Sequence, residues 1–391
     1  MLYESKLHEP LTDEAWDEER VRRRIRELVT DADGAFDLQS LWPAPEWDSF
    51  QAEPPMKELY VGAAGMIWAL DSLRRRGYGD VELDLAAAAR RTLELFRLRP
   101  DYAGWTEAGW AVPPNPGASL FMGETGILLA AWRVAPDAEL ADALHERVRE
   151  SIGSEAVEVM WGGPGAMLAA HAMREWTGEA RWEDVWREHA ERLLADRDDE
   201  GLWTKRLYGS ENRGLGPPHG FAGIARALRL GGEPLPDAGE IARRTAVVED
   251  GLVNWPDKAD TRELAGSDGQ IRLQWCTGAP GMVIALADDL DDELLLAAGE
   301  TIWRAGPFGD EKGAGICHGT AGNGFALLKV FARSGDELWL ERARRFAVHA
   351  LAQAGRLPPR YSLFTGGIGA ALFAARCLEA RADYPTLDSF D

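Results

Sequence analysis

Two kinds of apolar block alternate along this chain. The first is continuous, as in Met66-Ile67-Trp68-Ala69-Leu70 and Ile127-Leu128-Leu129-Ala130-Ala131-Trp132, and suits a helix buried nearly all round. In the second, apolar residues return every three or four positions. Trp182, Val185, Trp186, Leu193 and Leu194 share one such stripe, as do Trp339, Ala343, Phe346, Ala347 and Ala350, while Glu and Arg occupy the opposite faces. Each continuous run follows a small-residue turn. These turns are Gly62-Ala63-Ala64-Gly65, Gly123-Glu124-Thr125-Gly126, Gly162-Gly163-Pro164-Gly165, Gly220-Phe221-Ala222-Gly223, Gly278-Ala279-Pro280-Gly281, Gly319-Thr320-Ala321-Gly322 and Gly366-Gly367-Ile368-Gly369, seven in all.

A repeat of roughly 40 to 60 residues with one buried and one amphipathic helix predicts a helical-hairpin array. Because the buried helices are apolar on every side, an open array would leave a terminal one bare, and closure into a ring removes that surface. The expected fold is all-α: a double-layered α/α toroid of seven hairpin repeats, with seven inner and seven outer helices, over residues 56–391. Residues 1–55 read as an N-terminal segment docked on the barrel. Within it, residues 20–30 suit a charged amphipathic helix, and 41–47 are too rich in proline and tryptophan to be other than extended. The turn glycines let backbones approach where the inner helices converge. In the first two repeats, which carry no polar group beside the motif, helix capping alone would account for them.

Repeats five and six place soft metal-binding groups directly before their glycines, in Trp275-Cys276-Thr277-Gly278 and Ile316-Cys317-His318-Gly319. Either cysteine alone reads equally well as a small buried hydrophobe, but the paired motifs outline a three-ligand Zn²⁺ site, one per chain, made of Cys276, Cys317 and His318. Two thiolates and one imidazole leave the fourth tetrahedral position open, the arrangement of catalytic zinc. His219 precedes Gly220 with the offset that His318 has before Gly319, so superposed repeats would aim both at one mouth of the ring. Glu158, four residues before Gly162, is either an acid at that mouth or a solvated helix-start residue. Arg272 and Lys312 lie four and five residues upstream of the two cysteines, and cations beside a metal suit an anionic ligand. His8, His145, His171, His189 and His349 fall outside any such motif.

Composition narrows the partners. A formal charge of −22 with a pI near 4.8 argues against nucleic acid and anionic membrane, whose binding needs clustered Lys and Arg. Three cysteines, at 276, 317 and 377, are too few for a disulfide framework, which places the chain in a reducing, cytoplasmic compartment. No signal-peptide core and no membrane span is present.

The runs Pro218-His219-Gly220-Phe221-Ala222-Gly223, Trp275-Cys276-Thr277-Gly278-Ala279-Pro280-Gly281, Cys317-His318-Gly319-Thr320-Ala321-Gly322-Asn323 and Tyr361-Ser362-Leu363-Phe364-Thr365-Gly366 resemble the lanthionine synthetase C-like family, closer to its stand-alone eukaryotic-type members than to its lantibiotic cyclases. The resemblance extends from about Leu59 to the C-terminus. It implies an α/α toroid with one zinc on the residues matching Cys276, Cys317 and His318. It also implies addition of a thiol, glutathione or a peptide cysteine, to dehydroalanine or dehydrobutyrine in a peptide or protein, forming a thioether. His219 would be the acid/base group and Glu158 an active-site carboxylate. Arg272 and Trp275 match positions near the metal, and Lys312 matches a glutathione-contacting lysine. Thr277 stands where relatives often have His or Tyr, and Thr365 where Glu is common, so the proton donor and the substrate are the points on which this chain departs. No dehydratase region precedes the toroid, so dehydration is expected elsewhere. Two other readings are a non-catalytic scaffold that binds glutathione or a phosphopeptide, and a carbohydrate-active toroid, which would need two opposed carboxylates.

Overall fold

The structure, a computed structural model, describes residues 1–49, 52–266 and 268–391. Helices α1 (Glu18–Gly34), α2 (Ala63–Arg75), α3 (Leu85–Leu98), α4 (Glu124–Val134), α5 (Ala138–Glu150), α6 (Gly163–Thr177) and α7 (Ala180–Ala195) make up the first half. The second half holds α8 (Phe221–Leu230), α9 (Ala238–Thr245), α10 (Ala279–Leu286), α11 (Asp292–Ala305), α12 (Thr320–Ser334), α13 (Glu337–Arg356) and α14 (Gly367–Glu379). Even-numbered helices form an inner layer and odd-numbered ones an outer layer. Each inner helix packs on the next, and α14 packs back on α2, so the inner ring is closed. The N-terminal segment supplies α1, which lies against α13, α14 and α2 and completes the outer layer at the seam, so residues 56–391 provide seven inner but six outer helices and the expected seventh comes from the segment before them.

The layers differ as their sequences demand. All eight residues of α10 are buried, and in α2 the run Ala63–Leu73 is buried without a break. On α7 and α13 the predicted stripes face inward, with the exception of Leu194, which is 42% exposed. Five of the seven outer helices open on aspartate caps: Asp17, Asp84, Asp137, Asp291 and Asp336 each accept a backbone N–H of the first turn. Inner helices open instead on glycine, with no side-chain cap. In three of them the first amide goes to a carbonyl seven residues upstream, Ala63 to Met56, Phe221 to Gly214 and Thr320 to Gly313, and in α10 Ala279 N donates to Asn254 Oδ1 at 2.7 Å, which satisfies donors that helix starts otherwise leave orphaned.

That curl explains the glycines. A Cβ at Gly126 would stand 2.1 Å from the Leu120 carbonyl oxygen and 2.8 Å from the Leu59 Cβ of the neighbouring repeat. Gly65 is as tight, with Leu59 O at 2.3 Å and Leu363 Cβ at 2.9 Å across the seam. Close approach, not capping alone, is therefore the reason in the first two repeats as well.

Two further features lie outside the sequence expectation. Residues 41–47 are not extended throughout, since a helical turn occupies Glu46–Ser49; Leu41 and Trp42 are buried, the latter donating from Nε1 to Ala32 O at 2.7 Å. Two antiparallel hairpins interrupt the helices, β1 (Lys205–Leu207) with β2 (Ser210–Asn212), and β3 (Val247–Glu249) with β4 (Leu252–Asn254). Their two-residue turns, Tyr208-Gly209 and Asp250-Gly251, have positive φ at both positions, as the tightest hairpins require. No helix is long and apolar enough to cross a membrane among the described residues.

Gly126→Ala should destabilise the ring by about 3 kcal/mol or more, because backbone on one side and a packed Leu on the other cannot yield. Gly34→Ala, where nothing lies within 4 Å, is the control. Thermal melts followed by circular dichroism test the pair, and equal midpoints would refute the close-packing account.

Candidate metal centre

Aligned on the first glycine of each turn, the repeats assign a job to each preceding position. Three residues before it stand Leu59, Leu120, Val159, Pro217, Trp275, Ile316 and Leu363, a core layer. Two before it stand Tyr60, Phe121, Met160, Pro218, Cys276, Cys317 and Phe364, and one before it come His219, Thr277, His318 and Thr365 among others. Backbone bonds tie these turns to one another. Trp275 N donates to Cys317 O at 3.1 Å, Cys317 N to Phe364 O at 2.9 Å, Phe364 N to Tyr60 O at 3.3 Å and Tyr60 N to Phe121 O at 3.3 Å. Groups at the same register are thereby set around one mouth.

There the ligand atoms of Cys276, Cys317 and His318 all lie within 4.8 Å of one another. Cys317 Sγ and His318 Nε2 are 3.6 Å apart, which fits the tetrahedral edge of about 3.6 Å implied by Zn–S near 2.3 Å and Zn–N near 2.0–2.1 Å. Soft, closely spaced donors of this kind suit zinc. Tyr60 Oη donates to Cys317 Sγ at 3.0 Å and Gln274 Nε2 to Cys276 Sγ at 2.8 Å. A hydrogen bond from the Cys317 thiol holds Cys276 well below the usual thiol range in spite of burial. Burial pushes Cys317 itself well above that range. One thiolate, on Cys276, is thus stabilised before any metal binds.

The thiols line a cavity of about 370 Å³ whose wall also carries His219, Arg272, Thr277 and Lys312. His219 Nδ1 is 2.6 Å from Glu158 Oε2. Glu158 is fully buried and also accepts the amides of Met160 at 3.2 Å and Trp161 at 2.5 Å. It is therefore not a solvated helix-start residue. As a carboxylate already accepting two N–H groups it takes a third from Nδ1, which leaves Nε2 of the imidazole for the cavity. A glycosidase acid facing the cavity is not what this buried carboxylate provides. Trp275 is not brought to the cavity: its side chain is wholly buried beneath it, stacked on Tyr384. The five other histidines are absent from the cavity wall.

Sequence reasoning missed Tyr60, although Tyr60 shares the register of both cysteines, and that register was the available signal. It also missed the β1–β2 hairpin, which brings Lys205 and Tyr208 to the cavity wall. Lys205 donates to the His219 carbonyl at 2.8 Å, and burial lowers its pKa. Asp257 lines the cavity within 3.5 Å of Thr277 Oγ1. Thr365 donates to the buried Asp48 at 2.8 Å, so a carboxyl group from the N-terminal segment stands against this turn.

The sequence profile described as lanthionine synthetase C-like protein matches residues 53–388. The chain belongs to this family. Glutathione S-transferase LANCL1 of Danio rerio is 33% identical over 137 residues, covering 32% of this chain and 33% of that protein. LanC-like protein GCL1 of Arabidopsis thaliana is 34% identical over 113 residues, 25% of each. The chain thus aligns with only a third and a quarter of these relatives' lengths. Among solved structures, nisin cyclase superposes with a TM-score of 0.57 at 16% identity, covering 92% of this chain and 94% of its own. That likeness establishes the shared toroid fold.

In metal-free protein, Cys276 should alkylate ahead of Cys317 and the buried Cys377, and its rate should persist as pH falls below the ordinary thiol range, because its lowered pKa keeps the thiolate populated there. Peptide mass spectrometry after timed iodoacetamide exposure measures this. A Cys276 rate that drops tenfold per unit from pH 8 downward would contradict the assigned thiolate.

Proposed function

We propose that this protein is a zinc enzyme that adds a thiol across the carbon–carbon double bond of dehydroalanine or dehydrobutyrine residues, forming a thioether. The observation that carries the reading is the convergence of Cys276, Cys317 and His318 on a cavity that also holds His219 backed by a buried Glu158. Cys276, Cys317 and His318 would hold one zinc, whose chemistry when bound is to turn a substrate thiol into the nucleophilic thiolate at neutral pH.

The residues of the chain account for the remainder. The S–H bond breaks, a C–S bond forms at the β-carbon, and the displaced π pair leaves an enolate at the α-carbon. His219 carries a proton to that carbon from Nε2, while Glu158 fixes the ring through Nδ1. The proton lost by the thiol balances the one gained by carbon, so no co-reactant is required. Lys312 and Arg272 place positive charge at the cavity in a chain of net charge −22, which favours an anionic thiol. Glutathione meets that description, and a relative bears its name; a peptide cysteine is the other candidate thiol. Thr277 contacts substrate from the same wall, and the electrophile is a peptide or protein in a cytoplasmic setting.

Zinc should copurify at one per chain and be lost in Cys276→Ala, as elemental analysis would read. The helical dichroism should survive chelation, because the three donors sit on turns of a large core; a stoichiometry near zero in wild type would remove the metal from the reading.

His219→Asn should keep zinc and thiol binding while turnover of glutathione with a dehydroalanine peptide falls about 10²–10⁴-fold. Lys312→Ala should instead weaken glutathione and leave metal content intact. Zinc assay, thiol affinity and thioether yield on both variants separate the roles. Loss of zinc in His219→Asn would make that histidine a ligand, two fully active variants would overturn the roles given to His219 and Lys312, and absence of turnover in the wild type would favour the binding scaffold over the enzyme.

A further inference from the structure

The segment 384–391 lies outside every repeat, yet Tyr384–Leu387 and Phe390 are buried. Tyr384 is fully buried. Its ring stacks on Trp275 with centroids 5.2 Å apart and planes inclined by 15°, and its Oη donates to Ile316 O at 2.8 Å. Trp275 directly precedes Cys276, and Ile316 directly precedes Cys317. A single side chain therefore touches both cysteine turns from below, one by its face and the other by its hydroxyl.

The rest of the segment anchors that side chain to the inner ring. Asp388 pairs with Lys329 of α12 at 2.7 Å and with Arg226 of α8 at 2.6 Å. The same carboxylate accepts Tyr384 N at 2.7 Å, and Asp388 N donates to Tyr384 O at 3.0 Å, closing a tight loop. Farther along, Phe390 O accepts Trp68 Nε1 of α2 at 3.0 Å. Three inner helices from separate parts of the ring thus fix where Tyr384 sits.

We propose that this segment is an internal strap and that Tyr384 is a positioning residue, setting the separation of Cys276 and Cys317 and with it the geometry and affinity of the metal centre. The proposal rests on the reading of Cys276, Cys317 and His318 as zinc ligands. The physical argument is that each cysteine is fixed in its own turn, while the distance between the turns depends on what lies between them at the core layer. Backbone bonding from Trp275 N to Cys317 O joins the turns above that layer, and Tyr384 joins them within it. Orienting groups behind a ligand set typically govern metal affinity by 10- to 100-fold.

The test uses the full chain loaded with Co²⁺, whose thiolate charge-transfer and ligand-field bands report donor geometry, together with chelator competition for Zn²⁺. Tyr384→Phe keeps the stack and removes the hydroxyl, and it should shift the cobalt bands and weaken zinc by about tenfold with helical content unchanged. Tyr384→Leu removes both contacts and should weaken zinc further. Leu144→Ala empties a fully buried position of outer helix α5, outside the strap, and is the control for loss of stability alone; it should leave the bands in place. If Tyr384→Phe matches wild type in bands and affinity, or if Leu144→Ala changes them equally, the strap proposal is overturned while the metal reading stands. If wild type gives no thiolate–cobalt band, both fall. Should Tyr384→Leu fail to fold, the Phe variant decides the matter.

Discussion

Seven helix-opening turns crowd together at one mouth of the ring, and the structure depends on how closely their backbones can approach. Glycine at both ends of each motif removes the Cβ that would meet a carbonyl of the curled loop or a neighbouring repeat. With the side chains gone, main-chain amides reach across from turn to turn, from Trp275 through Cys317 and Phe364 to Tyr60 and Phe121. Hydrogen bonding of this kind is modest per bond, roughly 0.5–1.5 kcal/mol net. Its larger effect is geometric, since it locks the register in which two cysteines and two histidines meet. The outer helices face no such crowding and can use ordinary aspartate caps.

The same turns show how one structural device acquires a second use. Four residues before the first glycine, Glu58 accepts the amides of Tyr60 and Val61, and Glu158 accepts those of Met160 and Trp161. Both acids are wholly buried and both pin the turn that follows. Ser119 and Ser362 do the equivalent with a hydroxyl, accepting the amides of Met122 and Thr365. Only Glu158 has an imidazole within reach, because His219 occupies the turn of the next repeat. Glu58 lies in a different setting, where burial and the neighbouring Asp101 push its carboxyl well above the usual range. A turn brace next to a histidine becomes the group that orients it.

Charge is distributed in a way that matters to the site. The outer faces carry many exposed ion pairs between arginine and acid, such as Arg187 with Glu183 and Arg243 with Asp291, each worth little on its own. Inside the mouth the balance shifts towards Lys205, Arg272 and Lys312, with Asp257 as the acid beside Thr277. In the ring's interior the buried carboxylate of Asp388 is held below the ordinary range, burial being outweighed by Lys329 and Arg226. Net charge thus says little about the cavity, whose local field is set by the few side chains of its wall and their partners, such as Asp268 on Arg272 at 3.2 Å.

Much of this was legible in the chain itself. Continuous apolar runs and three-to-four-residue stripes are local patterns, so the seven inner helices and the identity of their buried faces follow from the sequence. The glycine motifs supply a register, and that register was sufficient to bring Cys276, Cys317, His318 and His219 to one mouth. Tyr60 and the core role of Trp275 were also encoded there, the first sharing the cysteines' position and the second that of Leu59, Leu120 and Leu363. Closure decided the rest. Tyr60 meets Cys317 across 257 positions, Asp48 meets Thr365 across 317, and Tyr384 enters beneath turns whose spacing in the chain gives no hint of it. The hairpin at Lys205–Asn212 likewise becomes a cavity wall only because the ring places it over the mouth. Spacing along a chain dictates which residues share a helix face or a turn position, whereas contacts between distant segments depend on shape and volume left over when the ring is complete, and only the folded ring contains that information.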